Sequence, residues 1–423
     1  MATGKIGILS ATAMLFVAAC AGTGRAPLVT KQSGVESLDG PSNQVAVDLL
    51  PLLDVVRPAV AASPSTPVGG YVRFFVEGDP PTQESGFVRR HYRDEARDPL
   101  SRWLVGRTNS RVLTVKVAVQ RPNVTGTATL ASSSHESSNR AGELWDTEVN
   151  GRRYLTPYFR VDPGTVVGVE ASLNASRQIQ SDVSRRILDV VTRAATLVNP
   201  AGSLVTTLNS ERLQDSAEFV DESISSLFGE ALGESSLNDY APGQWSDGEM
   251  ATITASFPMG GRVTNENRTR RIGQWKVFAS PALVSIFSTV PLQETAEAAP
   301  AGCPAAGSEL QACRAFQGLA AHNVLGLQVG ENLTLGQALL ADATVDAALT
   351  RIRGAQANQL ADPARVLCSA IAAKAEGLGL NRFDAAATVW AMARSALDGD
   401  EAEAMLDPGV CGAVALARAV GLS

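Results

Sequence analysis

Histidine is scarce in this chain, with three in 423 residues: His91, His135 and His322. No two of them stand at the i, i+4 spacing by which one helix face presents a pair of imidazoles to zinc. The Gly-x-Ser-x-Gly elbow of serine hydrolases is missing too. Ser-x-x-Lys is excluded, because the residues three before Lys31, Lys116, Lys276 and Lys374 are Leu28, Leu113, Gly273 and Ile371. Neither a Walker A loop nor a Gly-x-Gly-x-x-Gly after a strand is present, so no backbone cradle for phosphate is expected. Lysine is sparse as well, with five among 36 basic residues against 43 acids and a net charge of −7. Bulk charge of that sign excludes a nucleic-acid binder.

What is present begins at the N-terminus. Lys5 precedes an apolar run from Ile6 to Ala19 that contains Leu9, Met14, Leu15, Phe16 and Val17, the pattern of a secretion signal. The run is well short of the ~20 apolar residues that span a hydrocarbon core, and no later stretch is long and uncharged enough to do so. Its end, Val17-Ala18-Ala19-Cys20, resembles the lipobox of bacterial lipoproteins. The resemblance covers only the first 20 residues or so and implies cleavage before Cys20, diacylglycerol on its thiol and acylation of the new amino group. Two or three acyl chains hold a protein firmly to a bilayer, since each buried CH₂ contributes ~0.8 kcal/mol. Ala21 rather than Asp after the cysteine implies, for a Gram-negative cell, transfer to the outer membrane with the chain facing the periplasm.

Lipidation of Cys20 leaves Cys303, Cys313, Cys368 and Cys411, all in the last third. An oxidising compartment makes disulfides the natural reading. Of three possible connectivities, Cys303–Cys313 and Cys368–Cys411 are favoured. A zinc site would want C-x₂₋₄-C spacing, which neither pair has.

Organisation follows from composition and period. Residues 1–19 read as the signal and 20–67 as a lipidated, Gly/Ser/Thr/Pro-rich tether, with an ambiguous apolar segment at Val45 to Val56. Period-two alternation starts at Tyr71, with Val72, Phe74 and Val76 against Tyr71, Arg73 and Phe75. Leu113, Val115, Val117 and Val119 form a second aliphatic face, and Val167, Val169, Ala171 and Leu173 a third after the Asp162-Pro163-Gly164 turn. Further strands are expected at Ala251–Phe257 and Trp275–Phe287, the latter broken by Pro281. Two helical stretches intervene: Ile179, Val183, Ile187, Leu188 and Val191, then Phe219, Val220, Ile224, Leu227 and Phe228.

The fold class is therefore α+β: an antiparallel sheet or sandwich over 68–290 with a helical insertion at about 178–232. A linker at 291–302 leads to an all-α domain of about five helices over 303–423, pinned by the two disulfides. Its Ala/Leu-rich helices faintly resemble a tetratricopeptide-type array, without a consistent 34-residue repeat. The acidic run Asp398-Gly399-Asp400-Glu401-Ala402-Glu403 lacks the EF-hand residues at its fifth and sixth positions. It reads as a helix start capped by Asp400.

Two classes of function remain. One is a non-catalytic envelope component, held by lipid on Cys20, that docks another envelope protein or the cell wall and needs no metal or cofactor. The alternative is a periplasmic hydrolase or wall-modifying enzyme with a dispersed site, in which His91 or His135 and a nearby carboxylate transfer protons. His91 lies in the charged run Arg89–Glu95 and reads as a solvated loop or helix face, and His135 follows Ser132-Ser133-Ser134 and reads as a loop.

Overall fold

The computed structural model describes residues 52–58, 69–79, 87–93, 108–121, 124–140, 143–150, 156–178, 190, 204–229, 235–258, 269–288 and 299–422. Over 52, 78–79, 87–93, 108–111, 124, 131–140, 143–150, 175–178, 225, 227–229, 235–237, 256–258 and 269–273 it describes the backbone and not the side chains. Cys20, the tether up to Pro51 and the helical stretch Ile179–Val191, apart from Val190, lie outside the described residues.

The chain is α+β, with antiparallel sheets followed by a helical C-terminal region. Strands β1 (Leu52–Val56), β2 (Gly70–Val72), β3 (Phe74–Asp79), β4 (Phe87–Arg93), β5 (Thr108–Arg121), β6 (Val124–Arg140) and β7 (Glu143–Asn150) come first. They are followed by β8 (Phe159–Val161) and β9 (Val166–Gln178), then helix α1 (Ser210–Gly229), β10 (Ser235–Gln244), β11 (Gly248–Pro258) and β12 (Thr269–Ala279). Two larger sheets result, ordered β1-β11-β12-β3 and β10-β9-β5-β6-β7-β4, beside a two-stranded sheet of β2 and β8. Their apolar faces meet in one core, where Leu53, Val55, Val76, Ile253 and Val277 of the first sheet join Val115, Val117, Val119, Val167 and Val169 of the second. Each such aliphatic side chain, fully buried, contributes ~1.5–3 kcal/mol relative to exposure.

Alternation explains most of these faces. Gly164, at φ +91°, closes the turn between β8 and β9 behind Pro163, as expected where a turn requires positive φ at its third position. Several local expectations are corrected, however. Part of the presumed tether is a core strand: β1 pairs with β11 and buries Leu53 and Val55 while Asp54 and Val56 face outward, a period too short to stand out beside Pro51. Tyr71 is not on the open face of its strand but fully buried, because the chain changes sheet at Arg73 and β2 pairs with β8 while β3 pairs with β12. Strand β12 ends at Ala279 rather than running on to Phe287. Neither His91 nor His135 is in a loop: β4 carries the first and β6 the second. Charge and serine do not prevent a strand whose ladder hydrogen bonds come from the backbone.

Helix α1 lies over β6, buries Leu213, Ala217, Val220 and Ile224 along one stripe and ion-pairs Asp221 to Lys116 of β5. Phe219, expected on that stripe, is exposed, since it sits one position off the i, i+4 row.

The C-terminal region is built from α2 (Gly307–Ala315), α3 (Ala321–Leu325), the two-stranded ribbon β13 (Gln328–Gly330) and β14 (Leu333–Thr334), α4 (Leu335–Leu340) and α5 (Ala343–Arg353). It continues through α6 (Ala361–Gly377), α7 (Arg382–Ala396), α8 (Gly399–Met405) and α9 (Gly412–Ala419). These are eight helices among the described residues rather than about five, because several are too short to show a period. Asp400 lies in the first turn of α8 and Asp398 occupies the cap position without a side-chain cap bond. The acids there complement the helix dipole only.

Thr334 and Gln337 form a reciprocal capping box on α4, and Asp342 caps α5 by accepting from Thr344 N at 3.0 Å and Val345 N at 3.3 Å. Asp342 also pairs with Lys374 at 2.9 Å, which holds its carboxyl below the ordinary range. Asp342→Ala is expected to lower stability by about 1–2 kcal/mol, mostly through the lost cap, read as a drop in the denaturation midpoint at neutral pH.

Candidate functional site

The most concentrated chemistry among the described side chains lies where the helical region meets the sandwich. Asn381 caps α7, its Oδ1 accepting from Phe383 N and Asp384 N at 3.0 Å each. Its Nδ2 donates to Gly69 O at 3.0 Å and Val284 O at 2.7 Å, and its backbone N–H donates to the Tyr71 hydroxyl at 2.7 Å. One residue thereby starts a helix and ties it to two distant segments. Asp384, three residues on and fully buried, accepts from Ser285 Oγ at 2.6 Å and Ile286 N at 3.1 Å, and from the Tyr71 hydroxyl.

The electrostatics follow from burial. Desolvation pushes the Asp384 carboxyl up to about 6, against the pull of Ser285, Tyr71, Ile286 and the Arg160 charge. Tyr71 is raised well above its usual value by its own burial and then by Asp384. Arg160 of β8 donates to Leu380 O at 2.8 Å and to Asp162 at 3.0 Å. Gly379, at φ +97°, closes α6 in the left-handed region and leaves room for the Arg121 guanidinium 2.6 Å from where a Cβ would lie. Buried polar groups satisfied to this extent fix one geometry between the elements they join.

The apolar packing agrees. Tyr71, Leu204, Leu283 and Val284 belong to the same buried cluster as Phe383 and Val389 of α7 and Leu380 just before it. At this joint the β region and the helical region share one buried core. Ser285, Asp384 and Tyr71 expose essentially no surface. Their chemical capacity is to hold, since no substrate atom can reach them.

Cys303 is bonded to Cys313 and Cys368 to Cys411, so none of the four thiols is free for nucleophilic or metal chemistry. The second bridge links α6 to the start of α9, and the first ties α2 to the segment before it. His322 is exposed on α3. Among the residues whose side chains are described, no three of His, Cys, Asp and Glu converge to hold a metal ion. Also among the described residues, no helix is long and apolar enough to cross a membrane.

Sheet register places the other two histidines. His91 of β4 stands opposite Asp146 of β7, and His135 of β6 stands opposite Glu148 of β7. Sequence separation hid this, because the partners are 55 and 13 positions apart and only the pairing of strands joins them. Asn381 carried a visible signal, an Asn just before an alanine-rich helical run, but nothing local pointed to Tyr71. Comparison with protein-family models, curated proteins and solved structures gives no match, so the roles of these residues rest on geometry and chemistry.

Proposed function

We propose that this protein is a lipid-anchored component of the bacterial envelope, held to a membrane through Cys20, whose folded part is a non-catalytic body that docks another envelope protein or the cell wall. The observation that carries the anchor is the segment Val17-Ala18-Ala19-Cys20 after an apolar run. The docking role draws support from the joint. A fully buried acid of the described core, Asp384, is used to lock sandwich and helices together, which suits a rigid body presenting a fixed surface. Two disulfides in the helical part suit an oxidising compartment. Ala21 favours the periplasmic face of the outer membrane.

The test is fractionation. Wild type is expected in the membrane pellet, extracted by detergent and labelled by a palmitate analogue, and Cys20→Ser in the soluble fraction without label. Equal solubility of the two would overturn the anchor. Mild crosslinking in intact cells should then retain an envelope partner with wild type that is lost with Cys20→Ser.

A second reading, a periplasmic hydrolase with a dispersed His/carboxylate site, is favoured by one observation, the registers His91 to Asp146 and His135 to Glu148. Turnover of wall fragments that disappears in both His91→Gln and His135→Gln would select it over docking.

A further inference from the structure

We propose that Arg121 and Arg160 form a binding site for a carboxylate group at the edge of the joint between the sandwich and the helical region. Arg121 is the last residue of β5, Arg160 lies in β8, and Gly379 follows the end of α6 beside them. Two of the three Arg160 nitrogens are committed: Nε donates to Asp162 at 3.0 Å and Nη1 to Leu380 O at 2.8 Å. Its Nη2 meets no acceptor among the described residues. Arg121 has neither a carboxylate within ion-pair distance nor a hydrogen-bond acceptor for its guanidinium among the described residues. Its planar fork of donors is therefore uncommitted. Burial first, and then the like charge of Arg160, hold that guanidinium below its ordinary value.

The backbone keeps this place free for the guanidinium. At Gly379, where φ is +97°, a Cβ would lie 2.6 Å from Arg121 Nη2 and 3.7 Å from Val205 O, so any side chain there would displace the arginine. Unlike Asp384, the pair is not sealed from water. Arg121 is half-buried, and the side chains of Arg160 and Asp162 keep 24% and 30% of their exposure, so a ligand can reach the two arginines from the surface.

An uncommitted guanidinium takes a carboxylate through two parallel N–H···O bonds, which a lysine cannot form. Charge selects among the oxyanions. The described groups whose charges act on Arg121 are Arg160, Asp162 and Tyr71, and Tyr71 stays neutral because burial raises its hydroxyl. Two arginines against Asp162 leave one positive charge over. A carboxylate balances it, whereas a phosphate dianion would leave an excess negative charge where water is partly excluded. The competing arrangement is a hydrated pair, with water on the Arg121 donors and no ligand. The site goes beyond either reading of function, and its failure would leave the anchor through Cys20 untouched.

The experiment uses the full chain in detergent micelles, dialysed free of carboxylates and phosphate. It is titrated calorimetrically with acetate, N-acetylalanine and inorganic phosphate, at constant ionic strength and at mildly alkaline pH where phosphate is a dianion. Acetate is expected to saturate one site per chain with a Kd of about 1 mM or below. Equal affinity for N-acetylalanine would mark a site for small acids, and tighter binding a site for the carboxylate end of a peptide. Arg121→Gln should weaken both at least about tenfold. Arg121→Lys, which keeps the charge and loses the fork, should fall between wild type and Gln. Arg212→Gln on α1, where the arginine pairs with Glu331, should leave binding unchanged. Absence of saturable binding of either acid to wild type would overturn the proposal and leave the hydrated pair. So would phosphate binding as tight as acetate, or acetate affinity unaltered in Arg121→Gln, with circular dichroism confirming that each variant is folded.

Discussion

Between about pH 4 and pH 7 the wild-type protein is expected to lose up to about 3 kcal/mol of folding stability relative to Asp384→Asn. The Asp384 carboxyl is raised from its ordinary 3.8 to about 6 by burial. Below pH 3.8 the group is protonated in both folded and unfolded chains. As pH rises the unfolded chain releases its proton first, while the folded chain keeps it until about 6, so the folded state binds more protons and stability falls with pH. The contribution is complete below the unfolded value and lost as pH passes through the folded one. Asparagine is close in shape to the neutral acid and does not titrate, so the difference between the two proteins isolates this group from Glu170, Asp239 and Asp247, which burial also raises. Denaturant midpoints at several pH values would give the curve. A difference that stays flat across that range would mean that Asp384 is not desolvated in the joint. Asp384→Ala should be worse than Asn at every pH, because it leaves the Ser285, Tyr71 and Ile286 donors buried without an acceptor.

Removing the Cys368–Cys411 bridge, as Cys368→Ala with Cys411→Ala, should cost about 4 kcal/mol on the chain-entropy account, whereas the Cys303–Cys313 pair should cost nearer about 2.7. The larger figure follows from loop length, 43 residues against 10. Two features favour a native contribution close to these values. Cys411 and Cys368 are buried in the helical core, and α9 is short, with little helix of its own to persist once the tether is cut. Thermal unfolding without reductant would rank the two double variants. Equal losses, or a greater loss for Cys303–Cys313, would show that native packing around the bridges outweighs loop closure.

The chain's own pattern revealed more of the fold than of the site. Alternating aliphatics at Leu113–Val119 and Val167–Leu173 mark strands because a half-buried sheet demands a period of two. The alanine-rich stretches after Pro304 mark helices because nothing in them breaks a longer period. The serine run before His135 and the charged run around His91 gave no such signal. A strand can take its hydrogen bonds from its neighbours whatever its side chains, so its membership is decided by those neighbours. Phe219 failed for a related reason, since helical spacing tolerates an apolar residue at the edge of the stripe and only packing against β6 determines which edge is covered.

By itself the sequence determined what depends on near neighbours: the secretion signal and lipobox pattern at Cys20 as expectations of address, the α+β class, the main apolar faces, and a set of four cysteines whose spacing narrowed their pairing. Tertiary structure alone decided what depends on residues far apart in the chain. It set Tyr71 and Asn381 in contact across 310 positions, buried Asp384 where its charge is costly, and set His91 opposite Asp146 and His135 opposite Glu148 in neighbouring strands. The physical reason is that a strand's pairing and a helix's docking are collective outcomes of burial, and burial has no local signature in a polar residue.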